Sequence, residues 1–189
     1  MTTQQIAFRS VGSSPWRLGF VLIALTFACL AVTSTLTMAD GNTTNGNNGH
    51  EESFSGTVSG TIPPQSQWIP DPTNPCVFTI MGVTNTGTSN LLGQFHGMAT
   101  FVPNVCDGSY TGTYEWIAAN GDRISGPFRG QNFPTATAGV VSNVETATIT
   151  GGTGRFKHAS GTFTLYGIID YNTLTFVVPW LGTLSPNGH

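Results

Sequence analysis

The sequence carries little charge and few basic residues. Only 8% of its 189 residues are charged, six are Lys or Arg, and glycine occurs 24 times. This composition is unlike that of helical proteins with many surface ion pairs, and it favours turn-rich β structure. Beyond Ala39 four basic residues stand against nine acidic ones, a net charge of −5. Without a basic patch we expect no nucleic-acid partner, because phosphates are bound mainly through Lys and Arg.

Motifs of several common enzyme classes are also missing. No G-x-S-x-G sequence occurs, which argues against the nucleophile elbow of α/β-hydrolases. His96 and His158 have no Cys, Asp or Glu at the spacing of zinc ligands. The glycine cluster at residues 151–154 is followed by a β-rich run, whereas a phosphate-binding loop needs Gly-Lys-Ser/Thr and a helix. We therefore expect neither a metal nor a cofactor.

Residues 1–39 have the features of a secretory signal peptide. Arg9 and Arg17 precede an uncharged apolar run at residues 18–32, and the small-residue site Thr-Met-Ala ends at Ala39. An uncleaved anchor is the alternative, but the run is shorter than the roughly 20 residues of a spanning helix. We expect a secreted or periplasmic protein with no stable membrane insertion after cleavage.

The rest of the chain predicts a polar linker and one β domain. Residues 40–52 are rich in Asn and Gly without periodicity, as in disordered segments. Residues 53–189 form the domain, in which apolar and hydroxyl residues alternate as in half-buried strands. Residues 84–90 are expected to form a turn. The eight expected strands are residues 54–62, 76–83, 91–102, 110–118, 123–130, 140–150, 162–169 and 174–184.

The apolar pattern also selects hairpin registers. Asn120-Gly121 suggests a two-residue turn, but that register would put Ile124 on the face opposite to Trp116. A three-residue loop, residues 119–121, pairs Trp116 with Ile124 and is preferred, because a one-residue slip inverts every side chain.

For the last hairpin, a four-residue connection would place apolar residues opposite each other. With residues 170–173 as the connection, Leu165 opposes Val178 and Phe163 opposes Trp180. We expect this register because both pairs then lie on one face.

A short motif between two strand-like runs resembles a known family. The motif is Gly151, Gly152, Thr153, Gly154, Arg155 and Phe156. It is similar to the signature loop of dirigent proteins and to the corresponding loop of allene oxide cyclases, and the match covers residues 147–184. We expect this loop to be structural: its glycines permit a tight fold, and Phe156 fills an apolar gap.

The resemblance implies an all-β fold, an eight-stranded antiparallel barrel of the allene oxide cyclase-like type. Closure would also remove the edges that a Thr-rich open sheet exposes to aggregation. A two-sheet β-sandwich is the structural alternative. In the two families the barrel lumen is apolar and holds a small hydrophobic molecule, so such a molecule is the expected partner.

Side chains on the expected inward face are the candidate ligand-binding residues. Glu145 shares a face with Val141 and Ile149 and is the better candidate for burial, whereas Glu115 should point to solvent. One alternative is that Glu145 lies at the surface. The other is that the aromatic residues form an ordinary hydrophobic core and do not contact a ligand. The candidates are Phe95, Tyr110, Tyr114, Trp116, Glu145 and Trp180.

Cys76 and Cys106 are the two cysteines of the expected mature chain. Each flanks one strand of an expected hairpin, which brings both to the same end of the domain. Because export is expected, we predict that they form a disulfide, with two free thiols as the alternative.

Two functions follow from these expectations. The first is a non-enzymatic module that binds a small hydrophobic compound or serves as a stable scaffold. The second is a cyclase-like or dirigent-like enzyme acting on an apolar substrate in the lumen. An inward carboxylate or Asn–Glu pair would favour the enzyme, and a lumen filled by aromatics would favour the module.

Overall fold

The computed structural model of the protein describes residues 50–186. The expected signal peptide, residues 1–39, and residues 40–49 of the expected linker lie outside the described residues. Cleavage and linker disorder therefore stay predictions. Within residues 50–186 no helix has both the length and the apolar character needed to cross a membrane.

The described residues are almost entirely β structure. Two single-turn 3₁₀ helices, Gln65–Gln67 and Gly154–Phe156, interrupt it. The strands are Glu52–Thr61 (β1), Ile69–Pro70 (β2), Phe78–Ser89 (β3), Gly93–Pro103 (β4), Ser109–Ala118 (β5), Arg123–Pro134 (β6), Val140–Ile149 (β7), Gly151–Thr153 (β8), Ser160–Asp170 (β9) and Thr175–Ser185 (β10).

Eight of these strands close into an antiparallel barrel. Their order is β1-β10-β9-β7-β6-β5-β4-β3, and β3 pairs with β1 to complete the ring, with Val58 opposite Gly87. The short β2 pairs with β3, and the short β8 pairs with β6. The expected eight-stranded barrel is confirmed, and ring closure excludes the two-sheet sandwich.

The expected turn at residues 84–90 was wrong, because strand β3 continues to Ser89. Asn85 and Gly87 occupy inward positions of this strand. Because both are typical turn residues and neither is a large apolar residue, the alternation of apolar and polar residues could not be recognised in the sequence here. Gly87 is required there: a Cβ at this position would lie 2.4 Å from the Phe95 ring. The connection to β4 is the shorter turn at residues 90–92.

Of the two expected hairpin registers, one is confirmed and one is wrong. Trp116 pairs with Ile124 across β5 and β6, and Gly121 takes the left-handed conformation with φ of 87°. Across β9 and β10, however, Leu165 pairs with Trp180 instead of Val178. The error is two residues, an even number, so every side chain keeps its face and apolar alternation cannot detect the difference.

The predicted disulfide between Cys76 and Cys106 is present, with a Cα–Cα distance of 5.4 Å. It joins the segment before β3 to the turn between β4 and β5. The Val105 amide also donates to the Cys76 carbonyl at 2.8 Å, so the two segments are held by backbone and side chain together. This cross-link marks one end of the barrel, referred to below as the disulfide end.

Aromatic side chains pack the other half of the barrel, towards the opposite end. Phe95 stacks on Trp116 with ring centroids 4.6 Å apart, and Trp116 lies 4.9 Å from Trp180. Phe54 meets Phe163 edge to face at 5.3 Å. These large rings leave little free space, so this packed half is a conventional hydrophobic core.

The glycine-rich motif closes the packed half. Its first three residues form β8 against β6, and Phe156 is 2% exposed within the core. Gly154 has φ of 58°, a conformation in which a Cβ is penalised. Arg155 donates to the Leu91 carbonyl at 2.9 Å and pairs with Asp122 at 3.0 Å. The structural role of the loop stays a prediction.

Candidate ligand-binding site in the barrel lumen

An internal cavity of about 70 Å³ occupies the half of the lumen nearer the disulfide end. All eight barrel strands contribute to its wall, which is mostly apolar. At the disulfide end it is bordered by Ile62, Pro103, Asn132 and Tyr171. The remaining lining residues are Val58, Ile80, Val83, Asn85, Ala99, Phe101, Tyr110, Tyr114, Trp116, Phe128, Asn143, Glu145, Ala147, Phe163, Leu165, Ile169, Phe176 and Val178.

Glu145 is the ionisable acid on this wall. It lies in the middle of β7, between Leu165 of β9 and Gly130 of β6, and its exposed fraction is 8%. Burial raises the pKa of Glu145 from 4.5 to about 7, because the carboxylate loses its hydration. A hydrogen bond from the Tyr110 hydroxyl opposes part of this rise. Glu145, which the sequence made the better candidate for burial, is therefore buried, and near neutral pH both its protonation states are populated.

Tyr110 connects Glu145 to Asn143. The Asn143 amide nitrogen donates to the Tyr110 hydroxyl at 3.0 Å, and that hydroxyl hydrogen-bonds the Glu145 carboxyl. Tyr110 has a single hydroxyl proton. When it donates this proton to Glu145, its oxygen can only accept a hydrogen bond from Asn143, so the atom of Asn143 that contacts it must be the NH₂ nitrogen. Burial, and then the Glu145 charge, raise the pKa of Tyr110 far above its usual range, so the hydroxyl stays protonated.

Glycine on the neighbouring strand makes room for this network. Gly130 of β6 lies opposite Tyr110 of β5. A Cβ at Gly130 would come within 2.3 Å of the Tyr110 ring and its hydroxyl oxygen. The ring can therefore lie close over β6, which places its hydroxyl beside the side chains of β7.

Three further polar atoms on the cavity wall have no hydrogen-bond partner within residues 50–186. They are the Oδ1 atoms of Asn85, Asn132 and Asn143. Asn85 and Asn143 are deeply buried, with exposed fractions of 7% and 4%. Buried polar atoms normally have partners, so atoms left without one are typical of a site that receives a ligand or water.

The sequence reasoning missed these asparagines. Asn85 fell in the expected turn, and Asn132 fell between the expected strands 123–130 and 140–150, whereas it belongs to β6. Asn143 carried a usable signal, because it stands two residues before Glu145 in a strand and so shares its inward face.

The structure divides the predicted ligand-binding residues into two groups. Tyr110, Tyr114, Trp116 and Glu145 line the cavity. Phe95 and Trp180 do not line it; they pack against each other in the packed half, with ring centroids 5.7 Å apart. Ligand contact by any of the six stays a prediction.

Other candidate groups lie away from the cavity. Glu115 is exposed, as expected, and pairs with Arg123 at 2.9 Å on the outer face. Within residues 50–186 no three side chains of His, Cys, Asp or Glu are placed to hold a metal ion.

A solved structure with a similar fold is that of a pterocarpan synthase dirigent protein. The two chains are 12% identical and superpose with a TM-score of 0.51, covering 72% of this chain and 90% of the other. No protein-family model matches the sequence, and no curated protein matches it significantly. The likeness is one of fold. It confirms the expected dirigent-like barrel and does not bear specifically on allene oxide cyclases.

Proposed function

We propose that this dirigent-like barrel binds a small, mainly apolar molecule in the cavity of its lumen. The observation that carries the proposal is the cluster of Glu145, Tyr110 and Asn143 on an otherwise apolar wall. Binding sites for small molecules are typically concave and apolar, with a few polar groups that fix the orientation of the ligand. The cluster supplies such groups, and the aromatic wall supplies the apolar surface.

A purely structural role for the lumen fits the packed half better than the cavity. Burying a carboxyl costs stability unless it is well paired, and apolar residues of similar size would fill the space without that cost. Proteins tend to keep locally unfavourable features, such as a buried carboxyl, at sites where they serve a function. The polar cluster therefore favours ligand binding over a scaffold that merely persists.

Proton transfer to or from the bound molecule is the second candidate function. A general acid or base works best when its pKa lies near the working pH, and burial raises the pKa of Glu145 to about 7. Asn143 adjoins it on the same strand, so the inward carboxylate and the Asn–Glu pair that would favour an enzyme are both present. The similar fold of a pterocarpan synthase dirigent protein is compatible with catalysis in such a lumen.

We also propose that the protein is exported. The Cys76–Cys106 disulfide is typical of oxidising compartments, and residues 1–39 have the pattern of a signal peptide. N-terminal sequencing of the protein recovered outside the cytoplasm should begin at Asp40. An intact chain beginning at Met1 and retained with the membrane would contradict export by this route.

Filling the cavity should abolish binding. Ala99 is buried on the cavity wall, whereas its neighbour Thr100 points to the outer face. Ala99→Leu adds three carbon atoms inside the lumen, and Thr100→Leu places a side chain of the same size outside. We expect isobutanol, a branched apolar probe with one hydroxyl, to bind saturably to the wild type and to Thr100→Leu but not to Ala99→Leu.

NMR titration with isobutanol measures this difference, with the protein fold checked in each spectrum. Saturable binding that survives Ala99→Leu would place the site elsewhere. Absence of saturable binding to the wild type would contradict the proposed function.

A further inference from the structure

Hydrogen-bond acceptors face the part of the cavity around Glu145 and Asn143. Five buried side-chain atoms within residues 50–186 have no hydrogen-bond partner, and the three of them on residues that line the cavity are the amide oxygens of Asn85, Asn132 and Asn143. The other two, Ser160 Oγ and Trp180 Nε1, belong to residues outside the lining. Because the Tyr110 proton goes to Glu145, the Asn143 NH₂ is used by Tyr110 and its oxygen is left for the cavity. A molecule that binds beside Glu145 and Asn143 must therefore bring donors rather than acceptors, whereas Asn85 can pair with either.

The charge on the wall is also unbalanced. Among the lining residues described by the structure none is Lys, Arg, His or Asp, so an ionised Glu145 has no cationic partner there. The other titratable groups that line the cavity are Tyr110 and Tyr114 of β5 and Tyr171 of the turn between β9 and β10. Burial raises the pKa of all three, so they remain neutral around neutral pH. A buried carboxylate without a counter-ion is costly, and a cationic ligand would remove that cost.

The aromatic rings favour the same kind of ligand. Tyr114, Trp116, Phe128 and Phe163 all line the cavity. The face of an aromatic ring attracts a cation, most strongly when the cation is removed from water. An anionic ligand would meet the Glu145 carboxylate and the electron-rich rings, and it would find no positive charge.

The volume of the cavity limits the size of the ligand. It measures about 70 Å³. An engineered apolar cavity of about 150 Å³ holds one benzene molecule. The space therefore suits a charged head with a short aliphatic body, which can extend towards Ile62 and Phe176 near the disulfide end.

We propose that the lumen binds a small primary alkylamine as its ammonium ion, with the charge against Glu145 and an N–H group donating to Asn143 Oδ1. An ammonium group offers three donors and no acceptor, which matches the Glu145 carboxylate and Asn143 Oδ1. This inference rests on the proposed binding function and specifies its ligand class.

Three probes with the same branched apolar end test the inference: isobutylammonium, isobutanol and isobutyrate, which differ in charge. At about pH 8 we expect isobutylammonium to bind at least about tenfold more tightly than isobutanol, and isobutyrate not to bind. Glu145→Gln, of the same shape but uncharged, should reduce the affinity for isobutylammonium to that for isobutanol. Glu115→Gln, which removes an exposed carboxylate from the outer face, is the matched control and should change neither affinity.

The pH dependence supplies a second readout. Isobutylammonium stays protonated below about pH 10, as lysine does. Its affinity should fall at least about fivefold between about pH 8 and about pH 6, because protonation of Glu145 removes the charge that it contacts and leaves the weaker affinity of the uncharged site. The affinity for isobutanol should not follow this titration, and neither should any residual binding to Glu145→Gln.

The outcomes separate the two proposals. Equal, saturable binding of isobutanol and isobutylammonium to the wild type would keep the proposed function and overturn the amine inference. A preference for the amine that persists in Glu145→Gln would also overturn it. Failure of all three probes to bind would contradict both proposals.

Discussion

Replacing Glu145 with glutamine is expected to stabilise the protein in a pH-dependent way. The free energy of unfolding of Glu145→Gln minus that of the wild type should be about 3 kcal/mol larger at about pH 8 than at about pH 4. Burial raises the pKa of Glu145 from 4.5 to about 7 in the folded protein. Below the lower value the carboxyl is protonated in both folded and unfolded chains. Between the two values the unfolded chain ionises freely while the folded chain holds its proton, so stability falls as the pH rises and levels off above about pH 7. A pKa difference of this size corresponds to about 3 kcal/mol.

Other carboxylates oppose this trend but are common to both proteins. Hydrogen bonds lower the pKa values of Asp71, Asp107 and Asp170, so the stability they add is lost as the pH falls. Subtracting the wild-type curve from the Glu145→Gln curve cancels their effect. Urea unfolding across this pH range measures the difference, with Glu115→Gln as the exposed control. A difference that is the same at every pH would show that Glu145 does not titrate in a buried site.

Phe156→Ala is expected to destabilise the protein by about 3–5 kcal/mol, the usual cost of removing a buried phenylalanine ring. Phe156 is 2% exposed, and it packs within the core beneath the motif at residues 151–156. The lost ring would leave a cavity in the packed half, away from the lumen cavity. Binding of isobutanol, measured at matched folded fraction, should therefore be unchanged.

Gly154→Ala tests the backbone of the same motif, with Gly121→Ala as its control. Both glycines have positive φ, 58° and 87°, so alanine is strained at either position. At Gly121 a Cβ meets nothing within 4 Å, whereas at Gly154 it would lie 1.8 Å from Asp122 Oδ1. Gly121→Ala should cost about 1 kcal/mol and Gly154→Ala more, because Asp122 must move and its ion pair with Arg155 is disturbed.

Urea unfolding of the three variants at one pH gives these costs. Unchanged stability of Phe156→Ala and Gly154→Ala together with lost binding would make the motif a functional site instead of a structural one.

The alternation of the sequence predicted which face each side chain occupies, and this was sufficient for much of the candidate site. It placed Tyr110, Tyr114 and Trp116 on the inward face and made Glu145 the better candidate for burial, whereas the closed barrel was implied by the resemblance of the motif at residues 151–156. Alternation has a period of two, so it could not fix the register of β9 and β10, where an even slip preserves every face.

Packing inside the lumen could not be read from the pattern. Phe95 and Tyr110 occupy the same kind of inward position, yet one fills the packed half and the other lines the cavity. The difference depends on how rings and gaps fit in three dimensions. A partial signal exists in the inward glycines: Gly97, Gly112 and Gly130 each leave room for a ring on the next strand, and a Cβ there would collide with it.

The most direct test of the proposed function is the position of a bound probe. Isotope-filtered NOE measurements on the wild-type protein saturated with isobutanol report which methyl groups lie next to the probe. We predict NOEs from the isobutanol methyls to Val83 and Ala147, which line the cavity, and none to the exposed Val177 and Leu181 of β10. NOEs to Val177 or Leu181 without any to Val83 and Ala147 would contradict binding in the lumen.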